Sequence, residues 1–451
     1  MTQGGSQGAT SHTWPAELVE ALGSLPPASR VWVAFSGGLD STLLLHLVND
    51  CLPATGGSGL RAIHINHQLQ PNAEACEAHC RRTCDHLSVP LLVEAVTVKP
   101  GKAGSSAGSG LEEAARKARY EVFERVLDVG DLLLMAHHAD DQIETVLFRL
   151  VRGSAAAGLA GMPRTRPLGS AELARPLLAF SRARLCAWAL DANLSWIEDP
   201  SNTDLRFDRN FLRRSVIPLL RQRWPNLLKR MERTAHSCGE QALLADRLAE
   251  IQSDLCEDDE GRLRLPCLAE LGAPEQKNLL RWWISKKGFD LPPMRYLDRA
   301  LVELIHAADD RSPELRGPGY SLRRYQKSLY LVQQQEELPE GPLPLNVGEP
   351  VCWGRYVISL EPATDAPGPP PFLVVTARQG GERIREHPAR TSRSLKKWLQ
   401  EKAVVPWERD RLPLVWKGSE LVAVPGLWLS PAFSGPSPES GWRIVQERDF
   451  D

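Results

Sequence analysis

The chain has 451 residues, of which 42% are hydrophobic and 24% charged, with a formal net charge of −2. That is the balance of an ordinary globular protein of two or three domains, and it excludes the disordered and fibrous classes. With no apolar stretch of roughly eighteen residues, a membrane-spanning helix is excluded too.

Residues 1–14 have neither the basic nor the apolar region of a signal peptide and read as a short disordered tail. Nine scattered cysteines without a C-x-x-C pair favour reduced thiols and a cytoplasmic protein. Val31–Phe35 is a short apolar run of the kind a buried strand shows, and Thr42–Asn49 is a helical pattern. Between them stand Ser36, Gly37, Gly38, Leu39, Asp40 and Ser41. The two glycines allow a tight turn and close backbone approach to a ligand. Ser and Asp cap the helix that follows, whose free N–H groups and dipole make an anion site, most simply for phosphate. The chain has no Walker A run and no dinucleotide fingerprint at this turn. The plain alternative is an ordinary strand–turn–helix corner.

Further strands are expected at Leu60–Asn66, Pro90–Val98 and Leu132–Ala136, with helices over Asn72–Leu87 and Leu111–Leu127. This alternation predicts an α/β domain with a parallel sheet and helices on both faces. Three strands run into polar residues at their C-terminal ends: the Ser36–Ser41 loop, His64-Ile65-Asn66-His67, and His137-His138-Ala139-Asp140-Asp141. In a parallel sheet those ends share one rim, where ligands bind.

Lys99–Gly110 is a Gly/Ser-rich loop leading into a strong helix former. On that helix Arg116 and Arg119 share a face, either as a solvated basic stripe or as cations turned toward the rim. Asp140–Arg152 opens with two acids, and Asp141 and Glu144 also share a face. Carboxylates beside polyphosphate suggest Mg²⁺; helix capping is the alternative. A zinc site from His137 and His138 is disfavoured, with no cysteine pair to complete it. Cys76, Cys80 and Cys84 lie on one helical stripe, read as packing against the sheet in preference to an iron–sulfur ligand set.

Gly153–Met162 is a small-residue turn, and a short helix is expected near Ala183–Asp191. Arg206–Arg233 then carries nine Lys/Arg against two acids, interleaved with Phe207, Phe211 and Trp224. It reads as an RNA backbone contact or a charged linker helix. Residues 226–308 are helical in pattern with a polar break at Glu257–Gly261, and Tyr320–Gln334 looks like strands. A Pro/Glu-rich linker at Glu336–Gly348 precedes short strands at Val351–Leu360, Leu373–Ala377 and Leu421–Val424, with a helix at Ser394–Glu401. Arg378–Arg411 holds ten Lys/Arg against five acids. Lys396, Lys397 and Lys402, with Trp398 and Trp407, are the basic and aromatic surface candidate there. Three domains are expected: 15–220, a small helical domain at 221–335, and an α+β domain at 349–451.

The loop SGGLDS at 36–41 resembles that of the PP-loop (ATP-pyrophosphatase) superfamily. Other motifs sharpen this: HINHQLQP at 64–71, EEAARKARY at 112–120, AHHADDQIETVLFRLVRGSAAAGLAGM at 136–162, RPLL at 175–178, DPSN at 199–202 and RNFLR at 209–213. With RQGGERI at 378–384 and SLKKWLQEKAVVPWERDRLPLV at 394–415, the chain resembles the tRNA(Ile)-lysidine synthetase family over nearly its whole length. Residues 226–330 carry no matching motif.

The resemblance implies a Rossmann-like PP-loop domain followed by two smaller domains that help hold tRNA. It implies that ATP, L-lysine and the isoleucine tRNA with a CAU anticodon give lysidine at the wobble cytidine, with AMP and pyrophosphate released. Carried over by motif, Ser36, Gly37, Gly38, Leu39, Asp40 and Ser41 bind ATP, with His64 and Arg119 beside them. Asp40 and Asp141 hold Mg²⁺, with Asp141 and Glu144 left as ligands of either Mg²⁺ or the lysine amine. Asp40, Arg116, Asp141 and Glu144 are the catalytic candidates, and His137 and Arg209 contact the substrate. Gln70 stands where the family pattern leads us to expect Arg. The oligomeric state is left open, a homodimer included, as is the means of rejecting methionine tRNA. Competing readings are a tRNA thiolase, disfavoured by the missing C-x-x-C; an amidotransferase-type synthetase, which needs a glutaminase; and an inactive tRNA-binding protein.

Overall fold

The computed structural model describes residues 12–51, 59–67, 73–97, 107–198, 207–292, 294–305, 313–334, 337–365, 368–386, 391–434 and 441–448. Gln70, the DPSN motif and most of the Gly/Ser-rich loop lie outside them. The chain forms two compact units, Met1–Arg247 and Leu248–Asp451.

The first unit is built on a six-stranded sheet in the order β3-β2-β1-β4-β6-β5. Its strands are β1 (Arg30–Ala34), β2 (Leu60–Asn66), β3 (Leu91–Ala95), β4 (Asp131–Leu134), β5 (Thr165–Leu168) and β6 (Ala171–Ala174). The first four are the expected strands, and the pairs β1–β2, β2–β3, β1–β4 and β4–β6 are parallel. The chain winds outward through β2 and β3, then returns to lay β4 on the other side of β1. The crevice between β1 and β4 is therefore the topological switch point.

The helices of this unit are α1 (Ala16–Gly23), α2 (Leu39–Cys51), α3 (Ala73–Leu87), α4 (Ala107–Val126), α5 (Ala139–Val151), α6 (Ala156–Leu159) and α7 (Arg182–Asp191). Alternating strand residues feed two separate cores, as period-2 geometry requires. Val31, Val33, Leu132 and Leu134 meet Leu43, Leu44 and Leu47 of α2, Cys80 and Cys84 of α3, and Leu185 of α7. Trp32 and Leu133 face the other way, onto Val122, Phe123 and Leu127. Cys80 and Cys84 of the cysteine stripe thus pack as expected, while Cys76 is only half-buried and outside this core. Burial pushes the Cys80 and Cys84 thiols up to about 12, far from thiolate chemistry. Arg30 and Asp131 tie the first residues of β1 and β4, with Asp131 also accepting from Trp32 Nε1 at 3.1 Å.

The sheet departs from expectation at one edge. The β5–β6 hairpin is antiparallel and extends the sheet beyond β4. Its sequence, TRPLGSAELA, has a proline and little β-branching, so no strand signal marks it. Position decides instead: β6 pairs in parallel with Leu132–Leu134 and buries Leu173 and Ala174.

Beyond α7 come α8 (Asp208–Phe211), a π-helical turn at Leu212–Val216, α9 (Ile217–Arg223) and α10 (Leu227–Cys256), which continues into the second unit. There α11 (Leu265–Glu270), α12 (Ala273–Lys286) and α13 (Met294–Ile305) share one core with an antiparallel sheet. That sheet is β7 (Leu263–Arg264), β10 (Ser328–Gln333), β9 (Tyr320–Tyr325) and β8 (Glu314–Gly317) in spatial order. A Cys256–Cys267 disulfide joins α10 to α11, against the expectation of reduced thiols throughout. The chain reverses at Glu257–Gly261, the expected polar break, and that reversal brings the two cysteines together. The C-terminal part has a five-stranded and a three-stranded sheet around one core, with Trp353 and Trp398 fully buried. Trp398 is therefore not a surface aromatic: helical spacing turns it inward with Leu395 and Leu399, while Lys396 and Lys397 face solvent. No described helix is long and apolar enough to cross a membrane.

Candidate active site

Residues 36–41 link the end of β1 to the first turn of α2. Gly37 adopts φ +79°, and a Cβ there would meet Cys80 Sγ at 3.1 Å and the His79 ring at 3.3 Å. Ser36 and Ser41 exchange a hydroxyl contact of 3.0 Å across the turn, and Ser41 Oγ donates to the Gly38 carbonyl at 3.0 Å. The turn is held from outside as well, since Ile197 N–H donates to the Gly37 carbonyl at 2.9 Å. Leu39, Asp40 and Ser41 lie in the first helical turn, where backbone N–H groups lack intrahelical acceptors. The loop is therefore a braced anion cradle at the switch point.

His64 is buried, and its Nδ1–H donates to the Phe35 carbonyl at 2.8 Å, with Cys80 Sγ at 3.5 Å. In this structure it braces the base of the loop.

The end of β4 supplies the facing wall. His138 is the N-cap of α5: its Nδ1 accepts from Asp141 N–H at 3.3 Å, while its own N–H donates to Asp141 Oδ2 at 3.0 Å. Its buried ring stands between two acids, with Nε2 3.4 Å from Asp141 Oδ2 and 3.7 Å from Asp40 Oδ2. The loop and the DDQIE helix, a hundred residues apart in sequence, thus meet through one histidine. Burial pushes the Asp40 carboxyl up, against the pull of His138. Asp40 Oδ1 is buried without a hydrogen-bond partner among the described residues. Such an oxygen suits a cation that takes most of its ligands from phosphate and water. Among the described residues no three His, Cys, Asp or Glu side chains could hold a metal by themselves. Asp141 has both oxygens engaged by His138 and Arg213.

Arg213, on the π-helical turn, closes the site from the far side. Its Nε and Nη2 donate to the two oxygens of buried Glu144 at 2.5 and 2.8 Å, and Nη2 reaches Asp141 Oδ1 at 3.1 Å. Arg221 likewise holds Asp140, at 2.5 Å. Two arginines of the basic 206–233 segment are thus spent on α5. Arg209 lies over Phe148, one turn beyond Glu144, with its guanidinium carbon 5.9 Å from the ring centroid.

His137 looks the other way. Its Nδ1 accepts from Arg175 Nε at 3.2 Å. Burial and the charges of Arg175, Arg119 and Arg116 hold it well below the usual histidine range, so it is neutral with Nε2–H as donor. Arg116 and Arg119 also stack on Tyr120, at 5.1 and 6.0 Å to the ring centroid. The i,i+3 pair is therefore directed at the His137 side of the rim, not spread over solvent. A cleft of about 810 Å³ is lined by Gln142, Met162, Arg164, Arg175 and Phe180 among others, Arg175 being the residue that also contacts His137. No residue of the 36–41 loop lines that cleft.

Arg213, Arg175 and His138 escape sequence reasoning as site residues. The available signal for Arg213 was its i,i+4 spacing from Arg209 within RNFLR; for His138, its place immediately before the acids of a helix start.

Comparison with known proteins agrees with this geometry. A PP-loop domain matches residues 11–220, a TilS substrate binding domain residues 263–330, and a TilS substrate C-terminal domain residues 373–446. The chain is 36% identical to the tRNA(Ile)-lysidine synthase of Coxiella burnetii, over 95% of this chain and 96% of that one. It is 40% identical to the enzyme of that name from Alkalilimnicola ehrlichii, over 96% and 97%. The corresponding figures for Escherichia coli O157:H7 are 38%, 88% and 92%.

Proposed function

The chain belongs to the tRNA(Ile)-lysidine synthase family, and from that premise we propose that it uses ATP to join L-lysine to carbon 2 of the wobble cytidine in the CAU anticodon of isoleucine tRNA. The observation that carries this reading is the meeting of the Ser36–Ser41 cradle, through Asp40, with His138 and Asp141 at the β1/β4 switch point, where Arg213 links Asp141 to Glu144.

The cytidine carbonyl oxygen is a poor leaving group. Transfer of AMP from ATP to that oxygen breaks the bond between the α- and β-phosphates and releases pyrophosphate. The lysine ε-ammonium then gives up a proton, and the ε-amine so formed makes the bond to carbon 2 as the bond from carbon 2 to the adenylated oxygen breaks and AMP departs with that oxygen. The Ser36–Ser41 backbone cradles the phosphates. Asp40, through its orphaned Oδ1, would hold Mg²⁺, which supplies charge neutralisation at the leaving pyrophosphate when bound. Arg116 and Arg119 face the same rim and offset charge on the transferring group. Asp141 and Glu144 attract the cationic lysine side chain. Neutral His137, with Nε2–H as donor, and Arg209 beyond Glu144 orient the flipped-out base. Residues 263–330 and 373–446 hold the tRNA body and carry the discrimination against methionine tRNA.

The test incubates the protein with ATP, radiolabelled lysine and separate tRNA transcripts. Label is expected only in isoleucine tRNA with a CAU anticodon, with one pyrophosphate per lysine incorporated. Pyrophosphate release without label in tRNA rejects the reading.

A further inference from the structure

Asp141 and Glu144 present four carboxylate oxygens, and the chain itself engages every one. Asp141 Oδ2 accepts from His138 N–H, and Asp141 Oδ1 accepts from Arg213. Both oxygens of Glu144 accept from the Arg213 guanidinium in a two-point clamp. Glu144 is only 3% exposed, so no solvent-facing lone pair is left over. A bidentate guanidinium–carboxylate pair is the strongest ordinary form of this contact. With the clamp closed, a second cation cannot reach Glu144. The reading above nevertheless brings a cationic amine to this pair, and this inference rests on it. Both statements hold only if Arg213 gives way.

The element that carries Arg213 suits such a change. Leu212–Val216 is a π-helical turn set between α8 and α9, a rare wide-ring geometry that recurs at functional sites. The other arginine paired with an α5 acid, Arg221, holds Asp140 and not Glu144, so Arg213 is the guanidinium whose release would free the Glu144 carboxylate.

We propose that Arg213 is a resident counter-cation: it neutralises Glu144 while the amine subsite is empty and surrenders that carboxylate to the lysine ε-ammonium when lysine binds. Arg213 is thus a positioning residue that acts through Glu144. It keeps a buried carboxylate paired at every stage, since leaving it unpaired is costly. It also sets a threshold: a ligand displaces the guanidinium only if its own ammonium reaches both oxygens.

Lysidine formation is measured with the full chain, ATP and the CAU-anticodon isoleucine tRNA transcript, for the wild type, Arg213→Gln and Arg213→Lys. Removing the competitor lowers KM for lysine by about tenfold in Arg213→Gln, with kcat changing by less than that factor and Arg213→Lys falling between. An unchanged or raised KM for lysine in Arg213→Gln overturns the exchange and makes Arg213 a fixed part of the fold. Should Arg213→Gln not fold, phenylglyoxal labelling of the wild type, read by peptide mass spectrometry, decides the matter. Arg213 modification is faster with lysine present than with equal glycine, and Arg221 modification is unchanged. Equal rates at Arg213 overturn the proposal. A wild type that puts no lysine into tRNA defeats the underlying reading instead, a result distinguishable from either.

Discussion

At the scale of single residues, the site depends on a glycine with left-handed backbone and a carboxylate with an oxygen to spare. Gly37→Ala puts a side chain at φ +79° and presses it onto Cys80 and His79. The backbone strain alone is about 1–2 kcal/mol. The expected outcome is a raised KM for ATP with tRNA affinity unchanged, checked by ATP titration and a filter-binding assay side by side. Asp40→Asn keeps the volume and removes the charge. Lysine- and tRNA-dependent pyrophosphate release is expected to fall by about a hundredfold or more; release near the wild-type rate would remove Asp40 from the ATP chemistry. Asp40, Asp141 and Glu144 were legible in the sequence because each stands in a short motif whose chemistry is local. Arg213 was not, because its meaning comes from a partner 69 residues away on another element. Arg175 was hidden for the same reason, its contact being with His137.

At the scale of elements, the parallel strands β1 to β4 could be read from apolar runs and the polar residues that end them. The β5–β6 hairpin could not, because pairing with β4 overrides weak local propensity. The pin between β1 and β4 is similarly invisible in sequence. Asp131 has a fully buried side chain that accepts from Arg30, Trp32 Nε1 and the Asp128 backbone N–H. Burial pushes its carboxyl up, but these hydrogen bonds outweigh that and hold it below the usual carboxylate range. A folded-state pKa below the unfolded one means stability that is present above the unfolded value of about 3.9 and lost as pH falls through the folded value. Asp131→Asn is expected to cost about 2 kcal/mol at neutral pH. Its urea midpoint is expected to fall less steeply than the wild type's between pH 5 and the acid limit. Parallel midpoint-against-pH curves for the two proteins would show that Asp131 is not the group that titrates.

At the scale of the whole molecule, the formal charge of −2 conceals a division of labour among the cations. Part of the basic 206–233 segment is engaged at α5, where Arg213 and Arg221 neutralise Glu144 and Asp140. Those residues are poor candidates for phosphate contacts, whatever their contribution to local composition. Lys396, Lys397 and Lys402 differ: each is exposed, and the helix that carries two of them is anchored by Trp398 in the C-terminal core. A rigid element that presents lysines to solvent and buries its aromatic inward suits phosphate contacts that add affinity without reading sequence. Reversing all three to Glu is therefore expected to weaken isoleucine tRNA binding by about tenfold or more. The dependence of log Kd on log salt should flatten by about two to three, while kcat at saturating tRNA stays near wild type. The salt slope is the decisive measurement, because a folding defect would lower activity at all salt concentrations without changing the number of ions released. A slope equal to the wild type's would leave these lysines as a solvated face and move the tRNA contact elsewhere on the C-terminal part.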